Sequence, residues 1–173
     1  YRHDPGYVKL FGRSAIQGIV VHDAVEKILA GEKVGEVLDE GRLIDEMKRI
    51  LEASGHDPSK VASPATYASA AARCRDMAKA LVRWWKRSGL EVETVEEQLY
   101  LPLDTLPDGR GLWATGIIDL VATDGNRRIL VDWKTASRPW ENGKAEAKVQ
   151  AGLYAAILRH AGRPVDEALY VVV

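Results

Sequence analysis

Apolar positions recur at helical spacing as far as Gly89 and then give way to short runs rich in β-branched and aromatic residues. Ser14-Ala15-Ile16-Gln17 has the S-x-x-Q form of a capping box, and Gly31 closes the periodic stretch behind it. A helix over 14–30 is expected, carrying His22 and Glu26. From Glu32 to about Ser54 the spacing stays helical, but Gly35 and Gly41 each cost about 1 kcal/mol relative to Ala, so this helix is expected to be broken. Ser63 as N-cap and Pro64 at the first helical position then predict a long helix to Ser88. Its apolar stripe is Tyr67, Ala70, Ala71, Cys74, Met77, Ala78, Leu81 and Trp85, and Gly89 ends it.

Beyond Gly89, strands are expected over 91–101, 112–122 and 127–135, joined through Pro102 to Gly111 and through Asp124-Gly125-Asn126. A helix from about Lys144 to Ala161 follows, stopped by Gly162 and Pro164, and a last strand starts near Ala168. With 32–88 set aside as a helical insertion, the order is helix, three strands, helix, strand. That order predicts an α/β fold with a mixed sheet flanked by helices. The apolar run Leu169–Val173 reads as a strand cut short, and with Tyr1 in first place the chain is expected to be a fragment.

Composition narrows the picture. At 173 residues and 46% hydrophobic content, one domain spanning 1–173 is expected. Cys74 is the sole cysteine, which excludes an internal disulfide and any all-cysteine metal site within these residues. A formal net charge of −1 gives no general attraction for a polyanion, so nucleic acid would have to be held by a local basic patch. No apolar run of about 18 residues and no basic-then-apolar leader is present, so a soluble, cytoplasmic protein without membrane contact is expected.

The chemistry concentrates on two predicted strands. Asp119 lies in Gly116-Ile117-Ile118-Asp119 and Asp132 in Val131-Asp132-Trp133-Lys134. A two-residue loop at Gly125-Asn126 would set Asp119 directly opposite Asp132, with Cβ atoms about 4.5–5.5 Å apart. A loop one residue earlier pairs Asp119 with Leu130 but leaves Asp132 on the same face. Two opposed carboxylates repel, so the pair calls for a cation, and a hard divalent ion such as Mg²⁺ or Mn²⁺ suits oxygen ligands. Lys134 shares the face of Asp132, while Trp133 points to the other side.

These residues resemble the pattern of the RecB-like branch of the PD-(D/E)XK nucleases: GxxxHxxxE, GxxD, DxK and QxxxY. The chain has Gly18 to Glu26 with His22 between them, Gly116 to Asp119, Asp132-Trp133-Lys134, and Gln150 to Tyr154, in that order. The resemblance implies a restriction-endonuclease-like αβββαβ core with a helical insertion. It also implies a metal-dependent deoxyribonuclease, an exonuclease, in DNA repair or recombination. By the same resemblance His22, Asp119, Asp132 and the backbone carbonyl of Trp133 would hold the metal, Lys134 would serve the attacking water, and Gln150 and Tyr154 would border the DNA. Some relatives carry a four-cysteine iron–sulfur cluster, which Cys74 alone does not supply.

Further candidates come from the residues themselves. By alternation one of Glu96 and Glu97 faces the site, and Glu97 is favoured as an added metal carboxylate. Arg75, Lys79, Arg83 and Arg87 recur every four residues and form a basic stripe suited to a DNA backbone, although any surface helix shows a charged outer face. The five tryptophans are expected in the core, with Trp140 alone placed to stack on a base. His22-Asp23 also matches the HD dipeptide of metal phosphohydrolases, yet His3, His56 and His160 fall in no matching frame. The remaining alternative is a non-cleaving DNA-binding or scaffolding domain of a helicase–nuclease complex, against which stands an acidic pair that repels phosphate. A second copy of the chain or a larger nuclease complex is the protein partner to expect.

Overall fold

A computed structural model describes residues 13–136, 140 and 149–173. It divides into two compact units, one running to Trp84 and including Val173, the other Trp85–Val172. Among the described residues no helix is long and apolar enough to cross a membrane.

The first unit is helical. It contains α1 (Arg13–Leu29), α2 (Val34–Val37), α3 (Glu40–Ala53), α4 (Pro58–Val61) and most of α5 (Pro64–Ser88). Its core gathers Val20, Val21, Ala24 and Val25 of α1, Leu43, Met47 and Leu51 of α3, and Ala71, Cys74, Ala78 and Leu81 of α5. These follow the three- and four-residue spacing that turns one face of a helix inward. α1 is described from Arg13, so Ser14 lies within the helix, and its side chain is outside the described residues. The break expected between 32 and 54 occurs, though not at a glycine. Gly35 and Gly41 both lie inside helices, while the chain leaves helical geometry at Leu38 and restarts at Asp39, whose Oδ1 accepts the Arg42 N–H at 3.1 Å. An N-cap of this kind is worth about 1 kcal/mol, enough to place the break. Ser63 caps α5 as expected, its Oγ accepting the Thr66 N–H at 3.2 Å. On α5 the inward stripe takes Val82, while Met77 and Trp85 are half-buried.

The second unit is a four-stranded sheet in the order β1-β2-β3-β4: β1 (Glu91–Thr105), β2 (Gly111–Thr123), β3 (Arg128–Lys134) and β4 (Glu167–Val172). β1–β2 and β2–β3 are antiparallel, and β3–β4 is parallel, with α6 (Val149–His160) as the crossover that a parallel pair requires. This is the mixed sheet of the restriction-endonuclease-like arrangement. The part of the expected helix from 144 to 148 lies outside the described residues. Ile118, Val121 and Leu130 of the sheet pack against Tyr154, Ile157 and Leu158 of α6. Ile129 to Trp133 are all buried, with Asp132 the one charged residue among four apolar ones.

Register is set at the β2–β3 turn. Thr123 pairs with Arg128 and the Asp124 N–H reaches the Arg127 carbonyl at 3.3 Å, leaving Gly125 and Asn126 as the loop. Gly125 has φ +92°, which the first central position of a type II′ hairpin requires. The Asp124 carboxylate accepts the Asn126 and Arg127 N–H groups at 3.0 and 2.8 Å and locks the turn.

Candidate active site

The β2–β3 ladder runs from Thr123↔Arg128 to Leu120↔Val131, and one further step in the same register sets Asp119 against Asp132. Backbone pairing gives way there to a side-chain bond: Asp119 Oδ2 accepts the buried Trp133 N–H at 2.7 Å. That bond orients the carboxylate and joins Asp119 to the residue whose carbonyl is a candidate ligand. Both aspartates are nearly sealed, Asp119 at 8% and Asp132 at 2% exposure. Burying a carboxylate is costly unless it is paired and hydrogen-bonded. Asp119 has the Trp133 amide, and Asp132 has the ammonium of Lys134, which forms an ion pair with its Oδ2. Lys134 Nζ also lies 5.9 Å from the ring centroid of Tyr170, the residue beside Asp132 on β4.

β1 supplies another carboxylate. Val95↔Leu120 and Glu97↔Ile118 bracket Glu96 opposite Asp119, and ligand oxygens of Glu96 and Asp119 lie within 4.8 Å of each other. Glu96 has φ +47°, alone among the described non-glycine residues in having a positive φ. The carboxylate beside Asp119 is thus that of Glu96, where alternation favoured Glu97. Glu97 is held by Arg163 Nη1, which donates to both of its oxygens at 2.7 Å. Burial pushes the Glu97 carboxyl up, but the hydrogen bonds from Arg163 and Thr94 and the Arg163 charge outweigh it and leave it below the usual range.

Gln150 and Tyr154 lie one turn apart on α6, with Gln150 Nε2 donating to the Tyr154 hydroxyl at 2.8 Å. The Tyr154 ring packs on Gly116: a Cβ placed there would stand 2.5 Å from Tyr154 Cε1. The glycine of GxxD and the tyrosine of QxxxY thus interlock, and a side chain at 116 would require the Tyr154 ring to move. Burial raises the Tyr154 hydroxyl above its usual range, and the charges of Asp132 and Asp119 raise it further, against the Gln150 bond and Lys134. Tyr154 accordingly senses three of the site's charges.

His22 is half-buried on α1 in the helical unit. Lys79, Arg83 and Arg87 are exposed on α5, whereas Arg75 is half-buried and 3.8 Å from Glu40. Trp140 sits 5.3 Å from the Tyr170 ring at 45°. Trp133 is buried, as expected of the tryptophans, but Trp113 is 57% exposed on β2 and is no core residue. Pattern reading named Glu96 and Glu97 together but favoured Glu97, because the β1–β2 register that sets Glu96 opposite Asp119 is not marked in the sequence. It missed Tyr170 and Arg163 because nothing in a strand or a helix end marks them.

The pattern of the PD-(D/E)XK nuclease superfamily matches residues 9–173. No curated protein sequence matches the chain. Among solved structures, one titled "Crystal structure of SSO0001" is similar at 14% identity and a TM-score of 0.41, over 91% of this chain and 73% of that one. A match over nearly the whole length, with Asp119, Asp132 and Lys134 on adjacent strands, makes this chain a member of the PD-(D/E)XK nuclease superfamily.

Proposed function

We propose that the protein is a divalent-metal-dependent deoxyribonuclease of the RecB-like branch, degrading DNA from an end. The observation that carries this reading is the sealed aspartate on each of two adjacent strands, one tied to the Trp133 amide and the other to Lys134. A module that only bound DNA would gain nothing from burying acid where phosphate must approach.

Asp119 and Asp132, with Glu96 beside Asp119, offer the hard oxygen donors that Mg²⁺ or Mn²⁺ takes. The Trp133 carbonyl and His22 complete the ligand set by the family pattern. A cation bound there lowers the pKa of a water and neutralises charge on the phosphodiester. The rest falls to the chain's own groups. Trp133 N–H fixes the orientation of Asp119. Lys134 contacts a carboxylate and an aromatic face, both suited to an ammonium, and it stabilises charge developing on the phosphate. Gln150 and Tyr154 form the edge along which DNA passes, and Lys79, Arg83 and Arg87 attract its backbone. Trp140, packed on Tyr170, is the remaining candidate for a base contact.

End-labelled linear DNA, single- and double-stranded, and covalently closed circular DNA, each incubated with Mg²⁺ or Mn²⁺, test the reading. Linear substrates should be shortened progressively while circles stay intact. Nicked circles would make the enzyme an endonuclease, and no cleavage of any substrate would refute the nuclease reading.

A further inference from the structure

Glu96 faces Asp119 from a backbone conformation that side chains of L-residues rarely adopt. A non-glycine residue at φ +47° costs on the order of 1 kcal/mol and persists only where its surroundings impose it. Such a conformation has to be imposed by the strand on either side of residue 96.

Arg163 touches both sides. Its Nη1 donates to Glu97 Oε1 and Oε2 at 2.7 Å, its Nη2 to Thr94 Oγ1 at 3.2 Å, and its Nε to Glu93 Oε1 at 3.3 Å. Each guanidinium nitrogen thus grips a different residue of β1, two before Glu96 and one after it. Glu93 is braced from the other side by Arg128 Nε at 2.7 Å. Arg163 is itself fixed, standing one residue past Gly162 at the end of α6. The Arg163 N–H bonds to the Leu158 carbonyl at 2.8 Å and the Gly162 N–H to the Arg159 carbonyl at 3.1 Å, with Gly162 at φ +76°. This is a Schellman cap, and it gives the arginine a rigid base. A planar fork with several donors is suited to such a grip, which the point charge of a lysine does not reproduce.

We propose that Arg163 is a positioning residue for Glu96, gripping β1 on both flanks so that the strained residue presents its carboxylate to Asp119. The role in metal binding rests on the reading under Proposed function, but the mechanical claim does not. α6 then serves the site at both ends, with Gln150 and Tyr154 at its start and the Arg163 clamp beyond its finish.

Two measurements on Arg163→Met, Glu96→Gly and the double variant test this. In urea denaturation, Glu96→Gly should raise the midpoint, because glycine adopts positive φ without strain. Arg163→Met should lower the midpoint more in the Gly background than in the parent, where losing the clamp also releases strain. Calorimetric titration with Mg²⁺, done where each variant is fully folded, should show Arg163→Met weakened about ten- to a hundredfold, the usual effect of losing a residue that orients a ligand. Arg163→Lys should fall between parent and Met, and serves if Met does not fold. Additive midpoints, or unchanged Mg²⁺ affinity in folded Arg163→Met and Arg163→Lys, would overturn the clamp. If the unaltered protein binds no Mg²⁺, the metal reading falls while the denaturation cycle still decides the mechanical claim.

Discussion

Single residues decide more here than their side-chain classes suggest. Gly116 is glycine because Tyr154 occupies the space a side chain would take, with Tyr154 Cε1 and Cδ1 at 2.5 and 2.9 Å from a built Cβ. Gly116→Ala must move a buried ring that is hydrogen-bonded to Gln150, and overpacking of this kind costs about 1–3 kcal/mol. Chemical denaturation should show that loss, and Tyr154→Leu should restore part of it in the double variant. Equal losses in both backgrounds would mean the two residues do not interlock. At this scale Asp119, Asp132 and Lys134 were legible, because a strand pair with a short turn places its residues by counting. Glu96 was not. Choosing between Glu96 and Glu97 needs the β1–β2 register, which no two-residue turn announces; it sets Glu96 opposite Asp119 and leaves its neighbour Glu97 to Arg163.

At the scale of elements, capping groups and turns carried most of the legible information. Ser63 and Pro64 marked the start of α5, and Gly125-Asn126 marked the loop that sets Asp119 against Asp132. The break before α3 was foreseen but put down to glycine, when the cause was the competing cap at Asp39. The short helix α4 was not foreseen, since four residues are too few to show a period. The turn at Asp124 also makes the sheet sensitive to acid. Hydrogen bonds from the Arg127 and Asn126 amides, with the Arg127 side chain, lower the Asp124 carboxyl from 3.8 to about 2. A carboxyl lowered on folding contributes stability that is complete above its unfolded pKa and is lost as pH falls through the folded value. Asp124 should therefore add to the fall in stability between about pH 4 and pH 2. Urea midpoints for Asp124→Asn measured across that window should depend less on pH than those of the parent. Identical slopes would contradict the assignment.

For the whole molecule, the fold class follows from the order of elements: three strands in a meander, then a helix, then a parallel strand, admit few arrangements. The division into two compact units could not be read in the same way. It falls at Trp84 and Trp85, inside the uninterrupted helix α5, where no glycine, proline or polar linker announces a boundary. In the proposed function Asp119 and Asp132 hold the metal and Lys134 acts on the phosphate. Lys134→Ala separates those roles, because it removes the ammonium paired with Asp132 and leaves every proposed ligand in place. The deciding measurement is single-turnover DNA cleavage by Lys134→Ala, beside a calorimetric Mg²⁺ titration of the same sample. Mg²⁺ should bind as tightly as in the parent or more tightly, with cleavage slowed at least about a hundredfold. Cleavage at the parent's rate would show that Lys134 is not catalytic.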